Sequence, residues 1–216
     1  MSEHDGARVV LATHNRGKLA ELRDMIAAAL PGVDVERLVV DAGAAGAPDV
    51  VEDGTTFEAN ALLKARSAAA ATGLIAVADD SGLAVDVLGG APGIFSARWS
   101  GRHGDDAANL RLLLDQLADV PDAHRGVQFV CAAALVTPHG FEHVETGVLR
   151  GTLLREPAGD GGFGYDPVLL PEGSDRSVAQ LSREEKNAIS HRGRAMRALL
   201  PHLVGVLPTP PDPDPL

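Results

Sequence analysis

The sequence predicts an α/β fold: a mixed β-sheet flanked by helices. Three observations predict it. Short apolar runs that read as strands alternate with longer stretches of helical periodicity. Two apolar runs between residues 126 and 154 are joined by Pro138-His139-Gly140, which reads as an antiparallel hairpin inside an otherwise alternating chain. Hydrophobic residues make up 45% of the 216-residue chain, enough for a packed core, while aromatics are only 3%, so Ala, Val and Leu must build it.

Taken in order, Val9-Val10-Leu11-Ala12 reads as a short buried strand. It feeds a polar loop, Thr13-His14-Asn15-Arg16-Gly17, and then a helix from about Lys18 to Leu30, with Leu19, Leu22, Met25, Ile26 and Leu30 at helical spacing. Pro31-Gly32 ends that helix, and Val33 to Val40 is expected to be a second strand. The small, acidic stretch DAGAAGAPDVVEDG reads as a loop. Thr55 and Glu58 have capping-box spacing before a long Ala-rich helix that stops at Gly73. Leu74 to Ala78 is the next strand, and it delivers the adjacent carboxylates of Asp79-Asp80. A Gly/Pro-rich loop, a helix over about Asp105–Leu117, the hairpin and a second Gly/Pro-rich segment follow. Ser182 and Glu185 repeat the capping-box spacing ahead of a helical C-terminal region. Residues 1–207 are expected to form a single domain, and the Pro-rich stretch 208–216 a disordered tail.

The formal net charge of -11 argues against a non-specific nucleic-acid binder, which needs a basic field. It leaves room for a small anionic ligand if a metal and a few local cations reverse the potential. Cys131, the single cysteine, sits in an apolar run and reads as a buried small hydrophobe in a reducing compartment. No secretory signal is evident at the N-terminus, and no apolar run nears the ~20 residues that span a bilayer. A soluble, cytoplasmic protein is expected.

Four stretches can carry chemistry, and each also has a plain structural reading. THNRGK, at a strand-to-helix turn, is either an ordinary connection or an anion site made of backbone N–H groups with Lys18. The acid pair in ADDSGL is either two solvated turn residues or a place for a hard cation such as Mg²⁺, with Glu52 as a further carboxylate and one Asp as proton acceptor. GGFGYDP either packs a corner with Phe163 plugging the core or offers Phe163 as a stacking surface. The run from Lys186 through His191, Arg192 and Arg194 is either a charged, solvated helix face or a set of donors for phosphate and base. Together these are the parts needed to hold a nucleoside triphosphate.

The stretches LATHNRGKLAEL, EDGTTFEANALLKA, ADDSGLAVDVLGGAPGIFSARWSG, GGFGYDPV and LSREEKNAISHRGRA resemble the inosine triphosphatase-like family of dITP/XTP pyrophosphatases. They run in that family's order from Leu11 to Ala195. The resemblance implies a long twisted mixed sheet with two lobes around a central cleft, a homodimer, and Mg²⁺-dependent hydrolysis of dITP, ITP or XTP to the monophosphate and pyrophosphate. Carried over by motif, Thr13, His14, Asn15, Arg16, Gly17 and Lys18 contact the triphosphate. Asp80 is the proton acceptor and a metal ligand with Glu52, Asp79 supports that site, and Ser81 contacts substrate. Phe163, Gly164, Tyr165 and Asp166 line the base pocket, Phe163 by stacking and Asp166 by hydrogen bonding. Lys186 binds substrate, and His191 with Arg192 reads the purine's six-position oxygen. Competing readings are a pyrophosphatase for pyrimidine or modified nucleotides and a binding module without turnover. A phosphatase with an aspartyl nucleophile is disfavoured because the DxDx[TV] spacing is absent.

Overall fold

The computed structural model describes residues 7–13 and 16–207. His14, Asn15 and the expected tail lie outside them. The elements are β1 (Val9–Leu11), α1 (Arg16–Ala29), α2 (Val35–Leu38), β2 (Val39–Asp41), α3 (Ala42–Ala45), α4 (Phe57–Thr72), β3 (Ile75–Val85), α5 (Asp106–Gln116), β4 (Gly126–Val136), β5 (Glu142–Leu153), β6 (Leu169–Pro171), α6 (Arg183–Ile189) and α7 (His191–Val206). Among the described residues the strands form one sheet in the order β2-β1-β3-β4-β5-β6. β1 runs parallel to β2 and β3, and the remaining pairings are antiparallel. The mixed sheet flanked by helices is the expected class. No helix among the described residues is long and apolar enough to cross a membrane.

Several local expectations change. The stretch expected as a strand over Val33–Val40 begins with a turn of helix instead, because the Asp34 carboxylate accepts the Arg37 N–H at 3.3 Å and closes it. Asp41 does the same for Ala44 at 2.8 Å, so part of the expected loop is α3. The cap of α4 is Thr56, whose Oγ1 accepts the Ala59 N–H at 3.1 Å, rather than Thr55. Gly73 ends α4 in a left-handed conformation, as expected. Ser182 and Glu185 make both bonds of their capping box, but the C-terminal helical region breaks at Ser190, whose hydroxyl caps α7 through the Gly193 N–H.

The largest difference lies at the acid pair. Asp79 and Asp80 sit mid-strand, not at a strand end: β3 continues to Val85 because β4 pairs with it residue for residue from Ala76↔Val136 to Val85↔Val127. That ladder satisfies the backbone, so the carboxylates need no turn. Successive side chains on a strand point to opposite faces, and the two faces are covered by different helices. Val77, Cys131, Ala133 and Leu135 pack with α1 and α7, whereas Ala76, Ala78, Ala132 and Ala134 pack with α4. A further core, around Leu83, Val85, Phe129 and Leu149, lies along the sheet beyond the α1/α7 core. Between these two cores β3 presents Asp79 and Ser81. Burial pushes the Cys131 thiol up, which keeps it an inert core residue.

Losing the α4 cap in Thr56→Ala costs about 1 kcal/mol, whereas Thr55→Ala stays within about 0.5 kcal/mol of the parent chain. Urea denaturation of the two variants separates them.

Candidate active site

β1 pairs with β3 only over Ile75–Val77; the Ala12 N–H still donates to the Val77 carbonyl at 2.8 Å, and the chain then turns away. β3 runs on alone on that side, leaving a notch past the end of a short parallel strand, where α/β sheets commonly bind ligands. A cavity of about 280 Å³ opens there. Thr13 and Lys18 line it from the β1–α1 side, Glu52 from the loop before α4, Lys64 from α4, and Asp79 from β3. A larger groove of about 590 Å³ runs beside α5, but its Arg125 and Arg155 are committed to backbone carbonyls and to Asp122.

On the α1/α7 face, Asp79 is buried and meets Lys18 Nζ at 2.6 Å. Arg192 Nε lies 3.4 Å from the same Asp79 oxygen, and its Nη1 pairs with Glu21 of α1. Burial alone opposes ionisation of Asp79, but Lys18 and Arg192 outweigh it and hold the carboxyl far below the usual range. Two carboxylates and two cations balance here.

On the α4 face the balance differs. Asn60 Nδ2 donates to Asp80 Oδ2 at 3.1 Å, and Lys64 Nζ stands 3.5 Å from Asp80 Oδ1 and 3.2 Å from Glu52 Oε1. Asn60 Oδ1 accepts the Gly54 N–H at 2.8 Å, tying the Glu52 loop to α4. Burial raises the Asp80 pKa and Glu52 adds to the rise, against Lys64 and Asn60. One ammonium thus faces two carboxylates, and the group is one positive charge short. Glu52 and Asp80 are hard oxygen donors converging on a single cation, the donor set that a divalent ion such as Mg²⁺ takes.

The adjacent aspartates therefore have different nearest cations, although the charge of Lys64 reaches both. The strand separates them.

The GGFGYDP loop is held at three points. Asp166 Oδ2 accepts the Phe163 N–H at 2.8 Å and Lys186 Nζ at 2.5 Å; the Gly164 N–H donates to Asp106 at 2.9 Å; the Tyr165 hydroxyl donates to the Ser96 carbonyl at 3.0 Å. Tyr165 fills the core, while Phe163 stays 74% exposed, with Lys186 Nζ 4.7 Å from its ring centroid. The aromatic that plugs the corner is thus Tyr165, and Phe163 is an exposed ring with Lys186 over one face. Asp166 is occupied in fixing Lys186 and the loop.

Between the two groups lies the start of α7. Gly147 of β5 admits it: a Cβ there would stand 2.0 Å from the His191 carbonyl oxygen. His191 stacks on Phe129 at 4.8 Å, and burial, helped by Lys186, pushes its imidazole down to about 3. His191 Nδ1 and both Nε and Nη2 of Arg192 are buried without hydrogen-bond partners among the described residues. Each such atom costs ~1–3 kcal/mol until something meets it.

Of the residues singled out from sequence, the structure brings Thr13, Lys18, Glu52 and Asp79 to the cavity, with Asp80 directly behind Lys64. It gathers Phe163, Asp166 and Lys186 at the loop and sets His191 and Arg192 between. Gly17 lies exposed in the first turn of α1, Ser81 is exposed on β3 and donates its backbone N–H to Asp80, and Gly164 anchors the loop to Asp106. Arg16 opens α1. Asn60, Lys64 and Glu21 were not singled out. For the first two a signal existed: they stand four apart on an Ala-rich helix, on or beside its buried stripe of Ala61, Ala65 and Ala68.

A model of the Ham1 family matches residues 9–202. The chain belongs to the Ham1 family. Ham1 relatives include a dITP/XTP pyrophosphatase of Streptomyces avermitilis, 63% identical over 90% of this chain and 96% of that protein. Another is the dITP/XTP pyrophosphatase of Mycobacterium tuberculosis, 57% identical over 91% and 95%. Among solved Ham1 structures, the nucleoside-triphosphatase / dITP/XTP pyrophosphatase of Mycobacterium abscessus superposes with a TM-score of 0.75 at 53% identity, covering 90% of this chain and 99% of that one. A HAM1 protein from Coxiella burnetii gives 0.83 at 38% identity, covering 93% and 100%.

His191 also predicts a pH dependence. Its folded pKa of about 3 lies below the ordinary 6.5, so the unfolded chain binds more protons between those values. Stability is then fully present above about pH 6.5 and falls as pH drops towards 3. From pH 7 to 5 this group removes about 2 kcal/mol. His191→Gln loses that part of the slope, as urea denaturation at both pH values will show.

Proposed function

We propose that this chain hydrolyses the non-standard purine nucleoside triphosphates dITP, ITP and XTP to the monophosphate and pyrophosphate. The relatives named for that activity support the substrate class. The single observation that carries the chemistry is the charge deficit at Glu52, Asp80 and Lys64, beside a cavity that Lys18 also lines. Glu52 and Asp80 would hold Mg²⁺. When bound, the ion neutralises polyphosphate charge and stabilises the leaving pyrophosphate.

Asp80 is the proton acceptor. Burial raises its pKa, which makes it a stronger base than an ordinary aspartate, and Asn60 fixes the orientation of its carboxylate. The oxygen of an attacking water bonds to the α-phosphorus, the bond to the pyrophosphate oxygen breaks, and the water's proton passes to Asp80. Lys18 and Lys64 supply positive charge towards the phosphates, with Thr13 to Gly17 forming the rest of the phosphate loop. Ser81 has no His or Asp side-chain partner among the described residues, so no covalent intermediate is required.

At the other end, Phe163 stacks on the base, and Lys186 is positioned beside it by Asp166. His191 Nδ1, neutral and in its N–H tautomer, and Arg192 Nη2 donate to the six-position oxygen. Adenine carries an amino donor there and leaves both unmet, at ~1–3 kcal/mol, roughly tenfold to a hundredfold in preference. The proposed enzyme is a cytoplasmic homodimer of one two-lobed domain, residues 1–207, with small nucleotides as its partners; light scattering reads the dimer.

With dITP and Mg²⁺, dIMP and pyrophosphate are the expected products. Asp80→Asn lowers kcat by about 10²- to 10⁴-fold with an unchanged circular dichroism spectrum. Release of orthophosphate, or a wild-type rate in folded Asp80→Asn, overturns the mechanism. Arg192→Lys keeps a cation for Asp79 but loses Nη2, and the preference for dITP over dATP drops about tenfold or more.

A further inference from the structure

Away from the cleft, β5 and α7 bring together side chains of a different chemistry. His143 and Glu145 stand two apart on β5 and so project to one face, where His202 meets them from the C-terminal half of α7. His143 Nε2 lies 2.8 Å from Glu145 Oε1, and His202 Nε2 lies 3.6 Å from the same oxygen. The two imidazole rings stack, with centroids 3.6 Å apart. One ligand atom from each of the three residues falls within 4.8 Å of the others, and among the described residues no other trio of His, Cys, Asp or Glu does so.

A single carboxylate oxygen facing two imidazole nitrogens serves only one of them; 3.6 Å is beyond a good hydrogen bond. A cation among the three atoms would satisfy all of them. The side chains are 30%, 31% and 41% exposed, so an ion can reach them from solvent.

We propose that His143, Glu145 and His202 form a binding site for a divalent transition-metal ion of the Zn²⁺ class. Two imidazoles and a carboxylate suit Zn²⁺, Co²⁺ or Ni²⁺, whereas Mg²⁺ takes oxygen ligands and keeps its waters. The site is therefore chemically separate from the all-oxygen pair Glu52 and Asp80, and excess Mg²⁺ does not compete for it. Three protein ligands leave a fourth position for water. Zn–N bonds of about 2.0–2.1 Å draw His202 towards β5, so the ion clamps the last turns of α7 to the sheet. The first residues of that same helix are His191 and Arg192.

The test is zinc binding by the full chain in excess Mg²⁺, followed by equilibrium dialysis and thermal melting. The parent chain should bind one more equivalent of Zn²⁺ than the His143→Ala/His202→Ala variant. Its Tm should rise by about 5–10 °C at roughly a hundredfold excess over Kd, and the variant's should not. Co²⁺ should give visible absorption bands in the parent chain that the variant lacks. Glu145→Gln, which keeps the size of the side chain, should weaken Zn²⁺ affinity about tenfold or more. Pyrophosphate release from dITP without added zinc should be unchanged in both variants. Equal zinc stoichiometry in parent and double variant, a Tm gain that survives the substitutions, or unaltered affinity in Glu145→Gln overturns the proposal.

Discussion

Asp79 is the residue on which the architecture of the site rests. Its carboxylate is buried on the central strand and is neutralised by Lys18 from the first helix and Arg192 from the last. Glu21, one turn along α1, takes the remaining charge of Arg192. Removing one partner from such a buried group strands the others, at about 3–5 kcal/mol. The cluster joins parts of the chain more than a hundred residues apart, and it does so where β3 carries no apolar side chain to pack. A polar break between the α1/α7 core and the core around Leu83 and Phe129 would otherwise be a weak seam. Here it is closed by charge, and that keeps Lys18 and Arg192 in fixed relation.

The strand's alternation then divides the labour between neighbours. Asp79 is balanced within the protein and stays ionised at any working pH, as a structural anion does. Asp80, one residue on, faces α4 with a shared lysine and a raised pKa. In the proposed mechanism a carboxylate that accepts a proton gains from being under-compensated, and one that holds a helix in place gains from the opposite. Two adjacent identical residues receive opposite environments because the pleat turns them to opposite faces.

The sequence made most of this legible where the signal was local. Gly73 as a helix end, the Ser182 capping box and the Pro138-Gly140 hairpin depend on a few neighbouring residues, and all three stand in the structure. The failures have two causes: long-range pairing, and local side-chain caps at Asp34, Asp41 and Thr56 that composition did not reveal. Asp79-Asp80 looked like a turn because adjacent charges rarely interrupt a buried strand; only the ladder with β4, about fifty residues later, holds them extended. Val33–Val40 has strand composition, but the local bond from Asp34 makes Val35–Leu38 helical, and only Val39 and Val40 of that stretch pair with β1. At the candidate site, motif resemblance named Lys18, Glu52 and Asp79, which line the cavity. It gave no account of which carboxylate meets which cation, and Lys64 was passed over because an isolated lysine in a long helix reads as surface.

Arg192 shows how structural and recognition roles constrain each other. A guanidinium has five donors in a fixed plane. Nη1 is directed to Glu21 and Nε lies towards Asp79, so the orientation of the plane is already decided before any ligand arrives. Nη2 is buried and unmet, and Nε, although 3.4 Å from Asp79, makes no hydrogen bond either. Binding therefore costs little side-chain entropy, since the rotamers are held by charges the fold itself requires. The same arrangement explains why unmet donors persist: the ion cluster that stabilises the seam fixes the arginine, and the geometry leaves Nε and Nη2 without hydrogen bonds. On the proposed reading, a base bearing an acceptor at that position relieves the cost, while one bearing a donor does not. On the proposed base reading, selectivity for the purine edge is a by-product of how Asp79 is neutralised, and a substitution that loosens Asp79 should blur base discrimination.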